Sequence, residues 1–501
     1  MNFLDFWKQS TLKHSKGQDT NDVTYPESKG TITLETVQEN LHRIDDVQYI
    51  DFHLPNKELV TLINIKTLVN SSTLHRMVLE PLNLYLDQHP EDLLKTAIIM
   101  DSNELPKLLH HIASGFTILF FHEQGLILAI DTNSTPERSI STPENETTVL
   151  GPQDSFTESL ETNISLVRRR IRSINLKSKL FLIGTEARNN IGVLYMENIA
   201  NPENVQRVIH RLQNVEYDGF TGLPSIAQVI EDKPYSPFPQ YFITSRPDNT
   251  TKHLLDGRVV VIMNGSPEAI ITPSTFLEMF LSIEDIYNRW PTATLLRCIR
   301  FFGFFVTIFL TSTYVSVLTY HPEMLPPALL ILLSESRSKV PFPPLIEVLL
   351  MELVIEILRE AGARMPSKIG QTLGIVGGIV IGTAVVEAGL ASNILIVVIS
   401  VSALLSFLPT NLQMANSSRF MRYIFIIMAG IFGMYGQTIS LAWMLAHLSE
   451  VTSLGSPYMG PIPRKFTDLA NSIIRAPISF LISRSGISRA KKELKVPPKE
   501  E

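Results

Sequence analysis

The chain has 501 residues, 45% hydrophobic and only 18% charged, with a formal net charge of −6. A soluble globular protein carries about a quarter charged residues, so the composition excludes an ordinary soluble chain, and the lack of a strongly basic domain argues against nucleic-acid binding. A single cysteine, Cys298, excludes an intrachain disulfide and CxxC-type metal or redox chemistry.

In chain order, residues 1–30 are polar and aperiodic and predict a disordered arm. Met1–Lys8 lacks the apolar core and cleavage site of a secretory signal, so the head is expected to stay in the cytosol. Residues 31–132 read as a first α/β lobe. Val60–Ile65 is a strand, Ser71–Leu86 has helical spacing, and Thr117–Phe121 with Leu126–Ile130 reads as a hairpin about the His122–Gly125 turn. Residues 133–150 are rich in Ser, Thr, Pro, Glu and Asn, as linkers are.

Residues 151–290 read as a joining helix and a second α/β lobe. Phe156, Leu160, Ile164, Val167 and Ile171 line one face of a helix expected over 152–172. Arg168, Arg169, Arg170 and Arg172 end it, where cations suit the helix dipole. That charge run reads either as a solvated or ion-paired helix end or as a binding surface. The lobes look duplicated: Val60–Asn70 aligns without a gap on Ile191–Asn201, Gly115–His122 on Gly257–Asn264, and Ala129–Thr132 on Ala269–Pro273. Convergent strand–turn–helix patterning is the alternative.

Composition changes near Trp290, and 291–450 reads as a helical membrane domain. Ala293–Tyr320, Gln371–Ala388, Ile394–Leu408 and Tyr423–Leu448 are four candidate spans. Pro326–Leu333 is too short to cross, and Leu345–Glu360 either lies in or along the membrane or forms a fifth span. From Arg464 the 451–501 tail carries nine Lys and Arg against four acids. Four spans place this tail on the cytosolic side with the head. The expected fold is thus an α/β soluble head of two similar lobes followed by an α-helical multi-pass membrane domain.

No phosphate-binding GxxxxGK[ST] or post-strand GxGxxG occurs, and His53, His75, His110, His111 and His122 lack metal-ligand spacing. No catalytic set, metal site or cofactor site is expected. Two membrane features stand out. Gly370, Gly374, Gly378 and Gly382 recur every fourth residue with Gly377 beside them, as helix packing or a pore surface needs. Glu347, Glu352, Glu356 and Glu387 lie in apolar sequence, where carboxylates either pair with a cation or face a water-filled path.

The chain resembles the A subunits of GerA-family spore germination receptors from about residue 46 to 480. The resemblance is carried by Gly151-Pro with Phe156-Thr-Glu158, Asn163 and Arg168-Arg-Arg170; by Ile199-Ala-Asn-Pro202; and by Ile230-Glu-Asp232 with Ser236-Pro-Phe-Pro239. Arg246-Pro-Asp248, Leu255-Asp-Gly-Arg-Val259, His321-Pro-Glu-Met324, Val340-Pro-Phe-Pro343, Met351-Glu352 to Gly362 and Val386-Glu-Ala-Gly389 extend it. Lys66-Thr67 and Asn264-Gly265 depart from the family's usual Asp-Gly turns.

The resemblance implies a nutrient-receptor subunit of the bacterial spore inner membrane, working with a transporter-like B subunit and a lipoprotein C subunit. It further implies a homo-oligomer forming a nutrient-gated cation channel; in such an assembly the head and its 152–172 helix, with Phe156, Glu158, Asn163, Arg168, Arg169 and Arg170, are expected at subunit contacts. The competing expectation is that the head binds the nutrient, in a cleft between its lobes, while another protein conducts.

Overall fold

The computed structural model describes residues 32–55, 57–83, 90, 94, 96–133, 146–364, 378, 382–460, 472–477 and 483–495. The expected disordered arm, most of the 133–150 linker and Gly370, Gly374 and Gly377 lie outside the described residues.

The first lobe opens with α1 (Leu34–Leu41), whose N-terminal amides are capped by Thr33. β1 (Val47–His53) and β2 (Leu59–Ile65) form an antiparallel hairpin. The next helical stretch is irregular: α2 (Ser71–Leu74) passes through a π-helical turn, His75–Leu79, into α3 (Glu80–Asn83). Asn70 begins it, its side-chain oxygen accepting the Ser72 and Thr73 amides at 2.9 and 3.3 Å. β3 (Ile98–Ile99), α4 (Leu105–Ala113), β4 (Phe116–Phe121) and β5 (Leu126–Asp131) complete a sheet of order β1-β2-β4-β5-β3. The β2 and β4 runs are mostly apolar, without strict alternation, because nearly every residue in them is buried.

The second lobe repeats this plan. α5 (Leu160–Arg170) precedes β6 (Leu176–Ile183) and β7 (Asn189–Met196), followed by α6 (Pro202–Gln213) and α7 (Leu223–Ile230). β8 (Phe242–Thr244), α8 (Pro247–Leu255), β9 (Val259–Met263) and β10 (Ala269–Thr272) complete a sheet of order β6-β7-β9-β10-β8. The register repeats as well. Val60 faces Phe121 and Ile63 faces Ile118 in the first lobe; Ile191 faces Met263 and Leu194 faces Val260 in the second.

Two expectations need correction. Ile118 pairs with Ala129 and Val260 with Ile271, so Ala129 corresponds to Ile271 and not to Ala269. The joining helix starts at Leu160, not at 152, because the Ser159 hydroxyl caps the Thr162 amide and fixes the helix start there. Asn264 also bonds the Leu160 amide, at 3.1 Å.

After α9 (Glu284–Tyr287) the helical region contains α10 (Trp290–Tyr320), α11 (Pro327–Arg337), α12 (Pro344–Arg364), α13 (Asn393–Leu405) and α14 (Leu412–Glu450). Among the described residues two helices, α10 and α14, are long and apolar enough to cross a membrane. α13 has only 13 residues against the ~20 a span needs, and most of Gln371–Ala388 is outside the described residues. α14 starts eleven residues before the expected Tyr423. It is interrupted at Gly433, whose φ of 63° favours glycine. The Tyr320 hydroxyl donates to the Gly430 and Ile431 carbonyls beside that break, at 3.0 and 2.8 Å. A short hairpin, β11 (Thr452–Ser453) with β12 (Ser456–Pro457), follows α14 directly.

The second lobe has two cores. One lies on the α6 and α7 side and includes Tyr195, Val205, Val208, Leu223 and Tyr241. The other joins Ile164, Leu194 and Val260 of the lobe to Phe304, Phe425 and Met444 of the long helices in one cluster. Phe276, just after β10, meets Phe304 of α10 edge-on with ring centroids 5.7 Å apart. The first lobe's core, with Val60, Leu62, Leu119 and Phe121, is a separate cluster.

Candidate functional site

Strand geometry puts alternate residues on one face, so Lys177 and Lys179 of β6 point the same way. On this face α6 covers the sheet, and the two enclose a cavity of 340 Å³. Segment Arg43–Asp45 runs alongside β6: the Asp45 amide donates to the Ser178 carbonyl at 3.0 Å, and the Leu180 amide donates to the Asp45 carboxylate at 2.7 Å. The tail returns to close the same mouth. The Lys491 amide bonds the Ile199 carbonyl at 2.8 Å, and its ammonium donates to the Glu197 carbonyl at 3.1 Å.

The Glu197 carboxylate lies 3.1 Å from Arg43 and 3.4 Å from Lys177. Lys177 is buried, and desolvation lowers its ammonium pKa against the opposing pull of Glu197. Burial likewise raises the Tyr195 phenol. Polar groups around an apolar wall in a cavity of this size are what small-molecule sites present.

α6 also reaches the end of the last long helix. Arg207 donates to the Leu454 carbonyl at 3.2 Å. One turn on, Arg211 donates to the Ile230 carbonyl at 2.8 Å and the Tyr241 hydroxyl at 3.1 Å, and pairs with Asp232. The Asp232 carboxylate in turn accepts the Gly455 amide at 2.7 Å and the Thr452 hydroxyl. Nearby, Ser236 meets His447 at 2.9 Å, Lys233 pairs with Glu450 at 2.6 Å, and Ser417 donates to the Pro237 carbonyl. The Ile230–Pro239 motif is therefore the seat of the α14 terminus. Burial pushes the Glu231 carboxyl in this motif up to about 7, despite a hydrogen bond from the Gln240 backbone.

Other motif residues hold the fold. Arg246 forks onto Asp248 at 3.1 and 2.9 Å, Arg258 pairs with Glu278, and Arg297 reaches Asp285 at 3.0 Å, all buried. Breaking one partner of such a pair costs about 3–5 kcal/mol, because a buried charge is left uncompensated.

The expected subunit-contact residues divide. Phe156, Asn163 and Arg168 are buried within this chain. Phe156 packs in the lobe–helix core, and Asn163 exchanges hydrogen bonds with the Thr157 backbone. Arg168 is bidentate on Asp46 at 2.9 and 2.6 Å. Arg169 is half-buried, and Arg170 pairs with Asp154 at 2.5 Å. Glu158 is exposed.

The membrane acids are also sorted by the structure. Glu347 is buried, 3.1 Å from Arg337, and accepts the Ser392 amide at 2.7 Å. Glu352 is buried 2.9 Å from Arg422, an ion pair without hydrogen-bond alignment. Glu356 is part-exposed between Arg359 and Arg419, while Glu387 is exposed. The carboxylates buried in this region are thus matched by arginines. Among the described residues nothing lies within 4 Å of where a Cβ would stand on Gly378 or Gly382.

Among the described residues no group of three or more His, Cys, Asp or Glu is placed to hold a metal ion. Sequence reasoning missed the cavity. Its signal was faint, two lysines at alternate strand positions and an acid just past the neighbouring strand.

The profile of the Bacillus/Clostridium GerA spore germination protein family matches residues 35–487. Spore germination protein GerQA of Bacillus cereus is 37% identical over 479 residues, spanning 94% of this chain and 92% of that protein. Spore germination protein A1 of Bacillus subtilis (strain 168) is 37% identical over 417 residues, spanning 83% and 84%. The crystal structure of the N-terminal domain of the A subunit of the Bacillus megaterium spore germinant receptor GerK3 aligns with 50% of this chain and 99% of its own, at 22% identity and a TM-score of 0.38. With its sequence matched over nearly its full length, the chain belongs to the Bacillus/Clostridium GerA spore germination protein family.

Proposed function

We propose that this chain is the A subunit of a germinant receptor in the spore inner membrane, whose soluble head binds a small nutrient and passes occupancy to the membrane helices. The observation that supports this most is the double engagement of α6. One part of it lines the 340 Å³ cavity, and Arg207 and Arg211 hold the segment that ends α14. A ligand that shifts α6 biases the α14 terminus through packed, charged contacts, with no flexible tether between them. The head and basic tail lie on the core side of the membrane, and a transporter-like B subunit and a lipoprotein C subunit are the working partners.

A second reading, in which an oligomer of this chain conducts cations, draws on α10. The Ser316 hydroxyl is buried there without a hydrogen-bond partner among the described residues. Such groups at membrane depth call for water or a polar path. Arginines opposite Glu347 and Glu352 argue against those two carboxylates as the cation-selecting ring.

Asp232→Asn tests the coupling. It keeps the side chain's shape and removes the charge that holds Arg211. Spores carrying it are expected to accumulate the protein normally while nutrient-triggered ion release slows about tenfold, the kinetic equivalent of ~1.4 kcal/mol. Release at the unmodified rate would contradict the proposal.

A further inference from the structure

The charges around the second-lobe cavity are unevenly committed. Glu197 is shared by Arg43 and Lys177, and Asp45 accepts the Leu180 amide. Lys491 spends one donor on the Glu197 carbonyl, leaving two ammonium hydrogens. The Lys179 ammonium has no hydrogen-bond or ion-pair partner among the described residues, although the residue lines the cavity and is half-buried. The α6 side of the same cavity presents hydrocarbon from Ala200, Val205 and Ile209.

The duplicated lobe provides an internal control. Lys179 pairs with Val193 as Ile50 pairs with Leu62, so Ile50 is the first-lobe counterpart of Lys179. By the same register Glu197, one residue beyond β7, corresponds to Lys66. The fold is therefore built without this charge set in the first lobe, and the second lobe's lysine is not a requirement of the sheet.

We propose that the cavity binds a small organic acid with an aliphatic body. This rests on the reading of the head as a ligand-binding module and names its ligand class. The carboxylate sits against Lys179 and Lys491, and the hydrocarbon body covers Val205 and Ile209. A volume of 340 Å³ is at the low end for ligand pockets, enough for roughly ten non-hydrogen atoms. An amine of the same shape, placed against Lys179 and Lys491, meets two ammonium groups and is repelled there, while the Asp45 and Glu197 carboxylates, which also line the cavity, are held by the Leu180 amide and by Arg43 and Lys177. An inorganic anion leaves the apolar wall unfilled. Lys491 comes from the C-terminal tail, so ligand binding also fastens the tail to the lobe.

The test is titration of the full-length protein in lipid nanodiscs with isocaproate and with isohexylamine, followed by saturation-transfer NMR. Saturable isocaproate binding is expected, with none for the amine. Lys179→Met is expected to weaken isocaproate about tenfold and Lys491→Met several-fold, while Lys179→Arg, which keeps the charge, stays within about threefold. Equal binding of the amine, no saturable isocaproate binding, or full affinity in Lys179→Met would overturn the proposal. Binding is read here without germination, so normal ion release in Asp232→Asn spores would refute the coupling alone, and absent isocaproate binding would refute the ligand class alone.

Discussion

The two lobes share strand order and register and differ in what their cores are joined to. In the first lobe the cluster around Val60, Leu119 and Phe121 draws, among the described residues, on first-lobe side chains. In the second, the equivalent strands contribute to a cluster that continues into α10 and α14. The helices after the second strand differ too: an irregular α–π–α stretch in the first lobe, a regular 12-residue α6 in the second. In the second copy the duplicated sheet thus shares one core with the long apolar helices. The difference lies in a few buried polar and aromatic residues.

Arg258 is the sharpest case. By register its counterpart is Phe116, so a buried ion pair with Glu278 in one lobe is an aromatic ring in the other. Arg258→Met leaves Glu278 unpaired and is expected to cost about 3–5 kcal/mol, whereas Phe116→Leu is expected to cost ~1 kcal/mol. Denaturant unfolding of both variants checks the contrast, and equal losses would erase it.

Gly433→Ala attacks the membrane side. A non-glycine residue at φ 63° and ψ −143° costs about 1–3 kcal/mol, and its Cβ would also stand 3.0 Å from the Tyr320 ring. A lowered melting temperature is expected, and an unchanged one would mean that α14 straightens without loss.

The smallest effect concerns Glu231. Its folded-state value of about 7 lies above its ordinary 4.5. A carboxyl shifted upward holds its contribution at low pH and loses it as pH rises through that window. Glu231→Gln is therefore expected to raise the melting temperature at pH 8 and leave it unchanged at pH 4. The opposite pH order would show the carboxylate to be stabilising.

Much of the fold was legible. The runs Val60–Ile65, Phe116–Phe121 and Val259–Met263 are mostly apolar and lack strict alternation, because sheets covered on both faces have no solvent side to mark with polar residues. The duplication was visible for the same reason. The two-residue slip at Ala129 was not detectable, since a shift of two returns every side chain to the same face. The edge strands β1 and β6 were missed because their polar residues break the apolar pattern.

The site was less legible. Arg168, Glu347 and Glu352 stand out in sequence as charges, and their partners Asp46, Arg337 and Arg422 come from other elements. The cavity depends on Lys491 returning to Glu197 from far along the chain, which no local pattern encodes.

The union of the second lobe with the membrane helices is tested most directly by hydrogen exchange on the full-length protein carrying Phe304→Ala. Phe304 is buried on α10 against Phe276 and Phe280, and its loss is expected to cost about 3–5 kcal/mol. Faster exchange is expected in β7 and β9 together with α10 and α14, with β4 unchanged. Faster exchange confined to α10 and α14, with β7 and β9 fully protected, would contradict a shared core.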